Sequence, residues 1–128
     1  MDTPFGTRMN VAVTGGSVDG PALTGRIAGG DWGLYGSRDV ARVEWRTTMS
    51  TDNGELVLCE ATGVIDLPDD GFDRLAAGER LNADEVYFRV TPSFETGAPS
   101  LTWLNRVAAI GVGALSPTGV LFQIFQVL

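Results

Sequence analysis

The chain has 128 residues and a mass of 13.6 kDa, which fits one domain with its own hydrophobic core. Its formal net charge of −7 and pI near 4.3 would repel both the phosphate backbone of a nucleic acid and an anionic membrane surface, so neither partner is expected. Histidine and lysine are absent, which excludes Ser-His-Asp and Cys-His catalysis, histidine-bound metals, lysine Schiff bases and the P-loop lysine.

No targeting or membrane-spanning segment is expected. No apolar run approaches the roughly 20 residues that span a bilayer. The opening MDTPFGTRMN lacks the basic start and apolar run of a secretory signal, so we expect a cytoplasmic protein. The single cysteine, Cys59, lies within LVLCEAT, where a buried thiol behaves as a small hydrophobic side chain.

The first elements are an arm and two short strands. Residues 1–8 have little periodicity and predict a loose N-terminal arm of a single domain spanning residues 1–128. Residues 9–14 (MNVAVT) predict a strand, the following GGSVDGP a turn, and residues 23–27 (LTGRI) a second strand.

The second strand runs into two glycines, an acid and a tryptophan. Gly29 and Gly30 would allow a close approach of the backbone and aim Asp31 and Trp32 into a site. The same four residues also fit a β-turn in which Asp31 caps its own backbone.

Residues 42–67 predict a β-hairpin. Residues 42–49 (RVEWRTTM) alternate between apolar and charged side chains, and Asn-Gly within TDNG at 51–54 supplies the positive φ angles of a tight turn. Residues 55–67 (ELVLCEATGVIDL) form the partner strand. Glu60 shares a face with apolar residues there, so it is either a shielded carboxylate for proton transfer or a residue facing water.

The remaining pattern completes an all-β fold. Residues 68–78 (PDDGFDRLAAG) predict one short helix. In residues 87–106 we expect a strand over 87–91, a corner after Pro92, and an extended segment over 101–107. Two strands, 108–113 and 120–128, flank a turn at SPTG. The spacing of these strands indicates a small antiparallel barrel or sandwich.

The corner within residues 87–106 is rich in hydrogen-bonding and aromatic side chains. Arg89, Glu95, Trp103 and Asn105 would meet there. This combination suits a ligand pocket with a few convergent polar groups, and it suits a structural network equally well.

The stretches GGSVDGPALTGRIAGGDW and YFRVTPSFETGAPSLTWLNR resemble the bacterial domains of unknown function numbered 3237, also called uncharacterised protein family 0311. The blocks GGDW, YFR, FETG and WLNR are specific in combination. The resemblance implies a calycin-like antiparallel β-barrel, often met as a dimer, with no settled activity. Members of the family usually begin with a further N-terminal strand, whereas this chain starts late, which would leave an edge of the barrel to be covered. The motif positions in this chain are Gly30, Asp31, Trp32, Arg89, Phe94, Glu95, Thr96, Gly97, Trp103, Leu104 and Asn105.

Two functions of different classes follow. One is a cofactor-free isomerase, lyase or cyclase acting on a small apolar oxygenated molecule, such as an aromatic, polyketide or terpenoid ketone, with Asp31, Glu60 and Glu95 transferring protons. Substrate-binding side chains would surround them at one barrel mouth, namely Trp32, Tyr87, Arg89, Phe94, Trp103 and Asn105. Neither a metal nor a cofactor is required.

The alternative is a non-catalytic binding or carrier protein that uses the same side chains, and a third possibility is a structural protein with a filled core. In each case we expect a homodimer, because an uncovered apolar edge near residues 9–14 or 120–128 would invite aggregation.

Overall fold

The computed structural model describes residues 1–37 and 39–128 and contains one antiparallel sheet. The strands are β1 (Asp2–Thr3), β2 (Gly6–Val13), β3 (Gly16–Val18), β4 (Gly25–Gly36), β5 (Val40–Thr51), β6 (Leu56–Asp66), β7 (Tyr87–Glu95), β8 (Ala108–Ser116) and β9 (Gly119–Val127). Their order in the sheet is β1-β2-β4-β5-β6-β7-β8-β9, with β3 pairing the end of β4 beside β2. The predicted all-β, calycin-like antiparallel fold is confirmed.

The central hairpin forms as the alternation predicts. On β5, Val43, Trp45, Thr47 and Met49 are buried, whereas the charged residues between them face solvent. Gly54 has a φ of 79° in the turn that leads to β6. Period-two alternation therefore fixes which side chains of β5 build the core.

The last strand reaches across the interior and curls the sheet. The ring of Phe122 on β9 lies 4.5 Å from Trp45, 4.9 Å from Phe88 and 5.9 Å from Trp32. Among the described residues β9 pairs only with β8, so side-chain packing rather than a backbone ladder holds Phe122 of β9 against β4 and β5.

The helix and the connector after it cover one end of the core. Helix α1 (Gly71–Ala76) lies within the predicted helical segment. Arg74 Nη1 lies 2.6 Å from Glu85 Oε2, and fully buried Leu81 bridges to Leu115 of β8. In the described part of the chain, no helix is long and apolar enough to cross a membrane.

The predicted loose arm over residues 1–8 is wrong. Gly6, with a φ of 114°, reverses the chain between β1 and β2, and Thr3 Oγ1 donates a hydrogen bond to Gly6 O at 2.7 Å. Arg8 N donates to Met1 O at 2.8 Å. Hydrogen bonds of this kind leave no hydrophobic periodicity in the sequence, so the pattern of side chains did not predict the two strands.

The β-turn interpretation of residues 29–32 is also wrong. All four residues belong to β4, and a bulge shifts the register with β5 between Ile27 and Gly29. The two glycines accommodate the distortion inside the strand with φ angles of 150° and 146°.

The corner after β7 differs from the prediction in two ways. Pro92 does not end the ladder, since it pairs in register with Ala61, and on its other edge β7 pairs with β8 only at Arg89 and Val90. Residues 101–107 are not extended. They fall largely within a 3₁₀ helix (Pro99–Arg106), a second short helix in which Leu101 and Leu104, three residues apart, are both buried.

Candidate ligand site on the outer face of the sheet

Three arginines form one row across the outer face. Register pairs Arg8 with Tyr35, Tyr35 with Arg42, Arg42 with Val64, and Val64 with Arg89. Directly opposed residues in an antiparallel sheet share a face, so these side chains line up across five strands. We call Arg8, Arg42 and Arg89 the arginine row.

Arg89 is held in place without being neutralised. Its guanidinium lies 4.7 Å from the centre of the Tyr87 ring, and Nη1 donates to Phe88 O at 3.0 Å. Within residues 1–37 and 39–128, neither Arg89 nor Arg42 has a carboxylate at ion-pair distance. A fixed guanidinium group with free N–H donors, such as that of Arg89, is suited to a carboxylate or phosphate from outside the protein.

A groove of about 500 Å³ opens beside Arg42 and Arg89. We call it the arginine groove. Its other main lining side chains are Tyr35, Glu44, Thr62, Tyr87, Thr91 and Ile110. Tyrosine rings and an exposed isoleucine offer apolar surface next to the guanidinium groups, so the groove can hold an anionic group attached to a planar apolar body.

A second groove of about 530 Å³ adjoins the first. We call it the acid groove. In its floor, register pairs Asp31 with Arg46, Arg46 with Glu60, and Glu60 with Ser93. Arg46 Nε lies 3.7 Å from Glu60 Oε1, with side chains 75% and 54% exposed, so this ion pair contributes little stability.

The structure brings together two of the three carboxylates that the sequence predicts to be catalytic. Asp31 and Glu60 share the acid groove, and both face solvent. Glu95 lies on the same outer face of β7 but outside both grooves, opposite Leu58. Glu60 is thus the residue facing water rather than a shielded carboxylate.

The predicted binding residues do not form one barrel mouth. Tyr87 and Arg89 line the arginine groove. Trp32 and Phe94 point to the opposite face and pack on the core, with Trp32 stacked 4.8 Å from Trp45. Trp103 lies on the 3₁₀ helix, outside both grooves.

Asn105 braces the corner between β7 and the 3₁₀ helix. Its Oδ1 accepts a hydrogen bond from Thr96 N at 2.8 Å, and its Nδ2 donates to Thr96 O at 2.9 Å and to Thr102 O at 3.3 Å. Thr96 Oγ1 donates to Leu56 O at 2.7 Å. The amide is thus occupied with backbone groups, which makes this corner a structural network.

Sequence reasoning missed several groove residues that lie far apart in the chain. Tyr35, Arg42, Glu44, Thr91 and Ile110 meet only because the strand register aligns them. The one available signal was the charged face of RVEWRTTM, which places Arg42, Glu44 and Arg46 side by side.

Cys59 is not a nucleophile in this fold. It is 3% exposed, and burial raises the pKa of its thiol by more than the neighbouring Trp45 indole lowers it. The thiol therefore stays protonated at neutral pH. Among the described residues, no group of three or more Cys, Asp or Glu side chains is placed to hold a metal ion.

Comparison with known proteins gives a consistent assignment. The profile described as protein of unknown function DUF3237 matches residues 1–127. A UPF0311 protein of Rhodopseudomonas palustris strain TIE-1 is 30% identical over 125 residues, which cover 96% of this chain and 82% of that protein.

Two crystal structures have the same fold. A conserved protein of unknown function from Rhodopseudomonas palustris superposes with a TM-score of 0.87 at 28% identity, covering 94% of this chain and 83% of that one. A β-barrel-like protein from Acinetobacter baumannii superposes with a TM-score of 0.81 at 27% identity, covering 97% and 80%. The chain therefore belongs to the DUF3237 family, whose curated relatives carry the name UPF0311.

Proposed function

We propose that the chain is a small-molecule binding protein whose ligand carries an acidic group and lies in the arginine groove. The observation that supports this is the state of Arg89, which is fixed on Tyr87 and on a backbone carbonyl yet has no carboxylate partner in the described part of the chain. In a protein of net charge −7, acidic side chains are plentiful, so unpaired arginines beside a groove point to an external anion.

Binding without turnover agrees better with the carboxylates than acid–base catalysis does. A general base that works near neutral pH is usually a shielded group, whereas Asp31, Glu60 and Glu95 are all exposed. Glu44 borders both grooves but is exposed as well, so it does not favour catalysis over binding. Incubating protein with ligand and weighing the products by mass spectrometry separates the two, and we expect the ligand to be recovered unchanged.

We expect Arg89→Ala to weaken the binding of an aryl carboxylate, with para-hydroxybenzoate as the probe, by about 10- to 150-fold. A hydrogen bond to a charged group contributes about 1.5–3 kcal/mol, which corresponds to that range. Isothermal titration calorimetry measures the change.

The matched control for this substitution is Arg26→Ala. Arg26 is an exposed arginine of β4 that lines neither groove, so its loss should leave the affinity unchanged. Equal affinities of the Arg89→Ala variant and the unmodified protein would show that the acidic group binds elsewhere or not at all.

We also propose that two copies of the chain pair through β9. Among the described strands β9 has a partner on one edge only, residues 119–128 have no charged side chain, and Leu121 and Phe125 are 71% and 54% exposed. An unpaired edge without charged side chains can meet its own copy antiparallel about a two-fold axis, and it does so where the repulsion between two acidic chains is smallest.

Light scattering is expected to give twice the chain mass of 13.6 kDa. Leu121→Lys combined with Phe125→Lys should yield monomers, because lysines on an edge strand oppose strand addition. Leu56→Lys is the control, since Leu56 is 61% exposed on β6 and distant from β9 in the sheet order. A monomeric unmodified protein at high concentration would refute the pairing.

A further inference from the structure

The arginine groove and the acid groove are two halves of one trough. Glu44, Thr62 and Thr91 line both of them. These three residues form a single cross-strand row with Gly33 of β4, which lies opposite Glu44 of β5. Gly33 stands at the β4 end of this row and lines the acid groove, where it contributes no side chain.

The trough is long enough for a ligand with two rings. Arg42 marks one end on β5 and Arg46 marks the other, four residues further along the same face. A strand rises about 3.3–3.4 Å per residue, so the two ends lie about 13 Å apart. A single acidic ring bound at Arg42 and Arg89 would leave the acid groove unfilled.

The acid groove offers alternating donors and acceptors. The carboxylates of Asp31 and Glu60 flank the guanidinium of Arg46, and the margins carry the amide of Asn10, the hydroxyl of Ser93 and the guanidinium of Arg8. A second anion is disfavoured by these carboxylates. A neutral group with several hydroxyls can donate to the carboxylates and accept from the arginine and the amide at once.

We propose that the trough binds a two-part ligand, with an acidic aryl group in the arginine groove and a neutral polyhydroxylated ring, such as a glycosyl group, in the acid groove. This inference rests on the proposed function, because the contact with Arg89 sets the direction in which the ligand lies. The chemical class it names is an acidic aryl glycoside.

The test compares para-hydroxybenzoate with its O-glucoside by isothermal titration calorimetry on the full chain. The glucoside is expected to bind at least about tenfold more tightly, because its hydroxyl groups add several hydrogen bonds and one or two of them suffice for a tenfold change. Asp31→Ala combined with Glu60→Ala should remove that gain without weakening the binding of para-hydroxybenzoate, because neither residue lines the arginine groove and both carboxylates repel an anion.

Gly33→Val tests the shape of the trough independently of its charges. A Cβ atom at Gly33 would lie 3.7 Å from Asn10 Oδ1 and 3.9 Å from Arg8 Nη2, which are ordinary contacts with the ends of two side chains, and valine is a residue that strands favour. The added side chain would take up space in the acid groove beside Asn10 and Arg8 and is expected to remove the advantage of the glucoside. Gly97→Val is the control, since a Cβ there meets no atom within 4 Å and Gly97 lies outside the trough.

The outcomes separate this inference from the proposed function. Equal affinities of the acid and the glucoside, both weakened by Arg89→Ala, would overturn the two-part ligand and leave the proposed function standing. A glucoside advantage that survives both the double replacement and Gly33→Val would also overturn it. Failure of both probes to bind would overturn the proposed function and this inference together.

Discussion

Gly30→Ala is expected to destabilise the protein by about 2–6 kcal/mol, as the sum of two costs of about 1–3 kcal/mol each. The first cost is steric, because a Cβ at Gly30 would lie 2.1 Å from Arg46 O and 2.8 Å from Thr47 Cα, both backbone atoms of β5 that cannot rotate away. The second is conformational, because Gly30 has a φ of 146°, which other residues rarely adopt. Thermal unfolding should show a fall in Tm of roughly 10 °C or more.

Gly29→Ala separates these two costs. Gly29 has a nearly identical φ of 150°, but a Cβ there meets no atom within 4 Å. Gly29→Ala should therefore have the conformational cost alone and lower the free energy of unfolding clearly less than Gly30→Ala does. If the two variants melt at the same temperature, the close approach of β4 and β5 at Gly30 does not limit stability.

The glycines of GGDW show what local pattern can and cannot reveal. Sequence reasoning identified a close backbone approach at Gly30 and interpreted it as part of a turn or a site. The approach is real, but its partner is the neighbouring strand β5. Once residues 29–32 are placed in a strand, alternation sends Asp31 and Trp32 to opposite faces, which a turn would not require.

Register explains most of the difference between the predicted site and the observed grooves. The fold class followed from period-two alternation on β5 and from the Asn-Gly turn, both of which are local signals. The arginine row depends on ladders that join Arg8, Arg42 and Arg89 from three separate parts of the chain. Nothing within a short window of sequence encodes that alignment, so the prediction grouped residues by proximity along the chain instead.

The corner between β7 and the 3₁₀ helix, which the sequence predicts to be the site, is a structural network. FETG and WLNR are joined by Asn105, whose amide bonds to the backbone of Thr96 and Thr102. A specific pattern of polar residues can thus be required by a chain reversal alone. Arg89 and Tyr87 belong to the preceding strand, β7. Their side chains line the arginine groove on its outer face and do not take part in this corner.

Phe88→Ala is expected to lower the free energy of unfolding by about 3–5 kcal/mol, a large part of the 5–15 kcal/mol typical of a domain. Phe88 is fully buried, and its ring packs edge-on against Phe122 and against Trp32. These contacts join β7 to β9 and β4, so their loss removes packing between strands that are not hydrogen-bonded neighbours in the sheet. Phe5→Ala is the control, since Phe5 is 91% exposed and should have little effect on urea or thermal unfolding.

A double-mutant cycle with Gly113 tests whether the ring itself is responsible. A Cβ at Gly113 would lie 2.7 Å from Phe88 Cδ2 and 2.9 Å from Phe122 Cε1, so Gly113→Ala should be destabilising while the Phe88 ring is present. In the Phe88→Ala background the first overlap disappears and the new methyl group occupies part of the cavity. We therefore expect Gly113→Ala to cost at least about 1 kcal/mol less there than in the unmodified protein, a coupling typical of residues in contact. Additive effects in urea unfolding would mean that Phe88 and Gly113 do not pack as described.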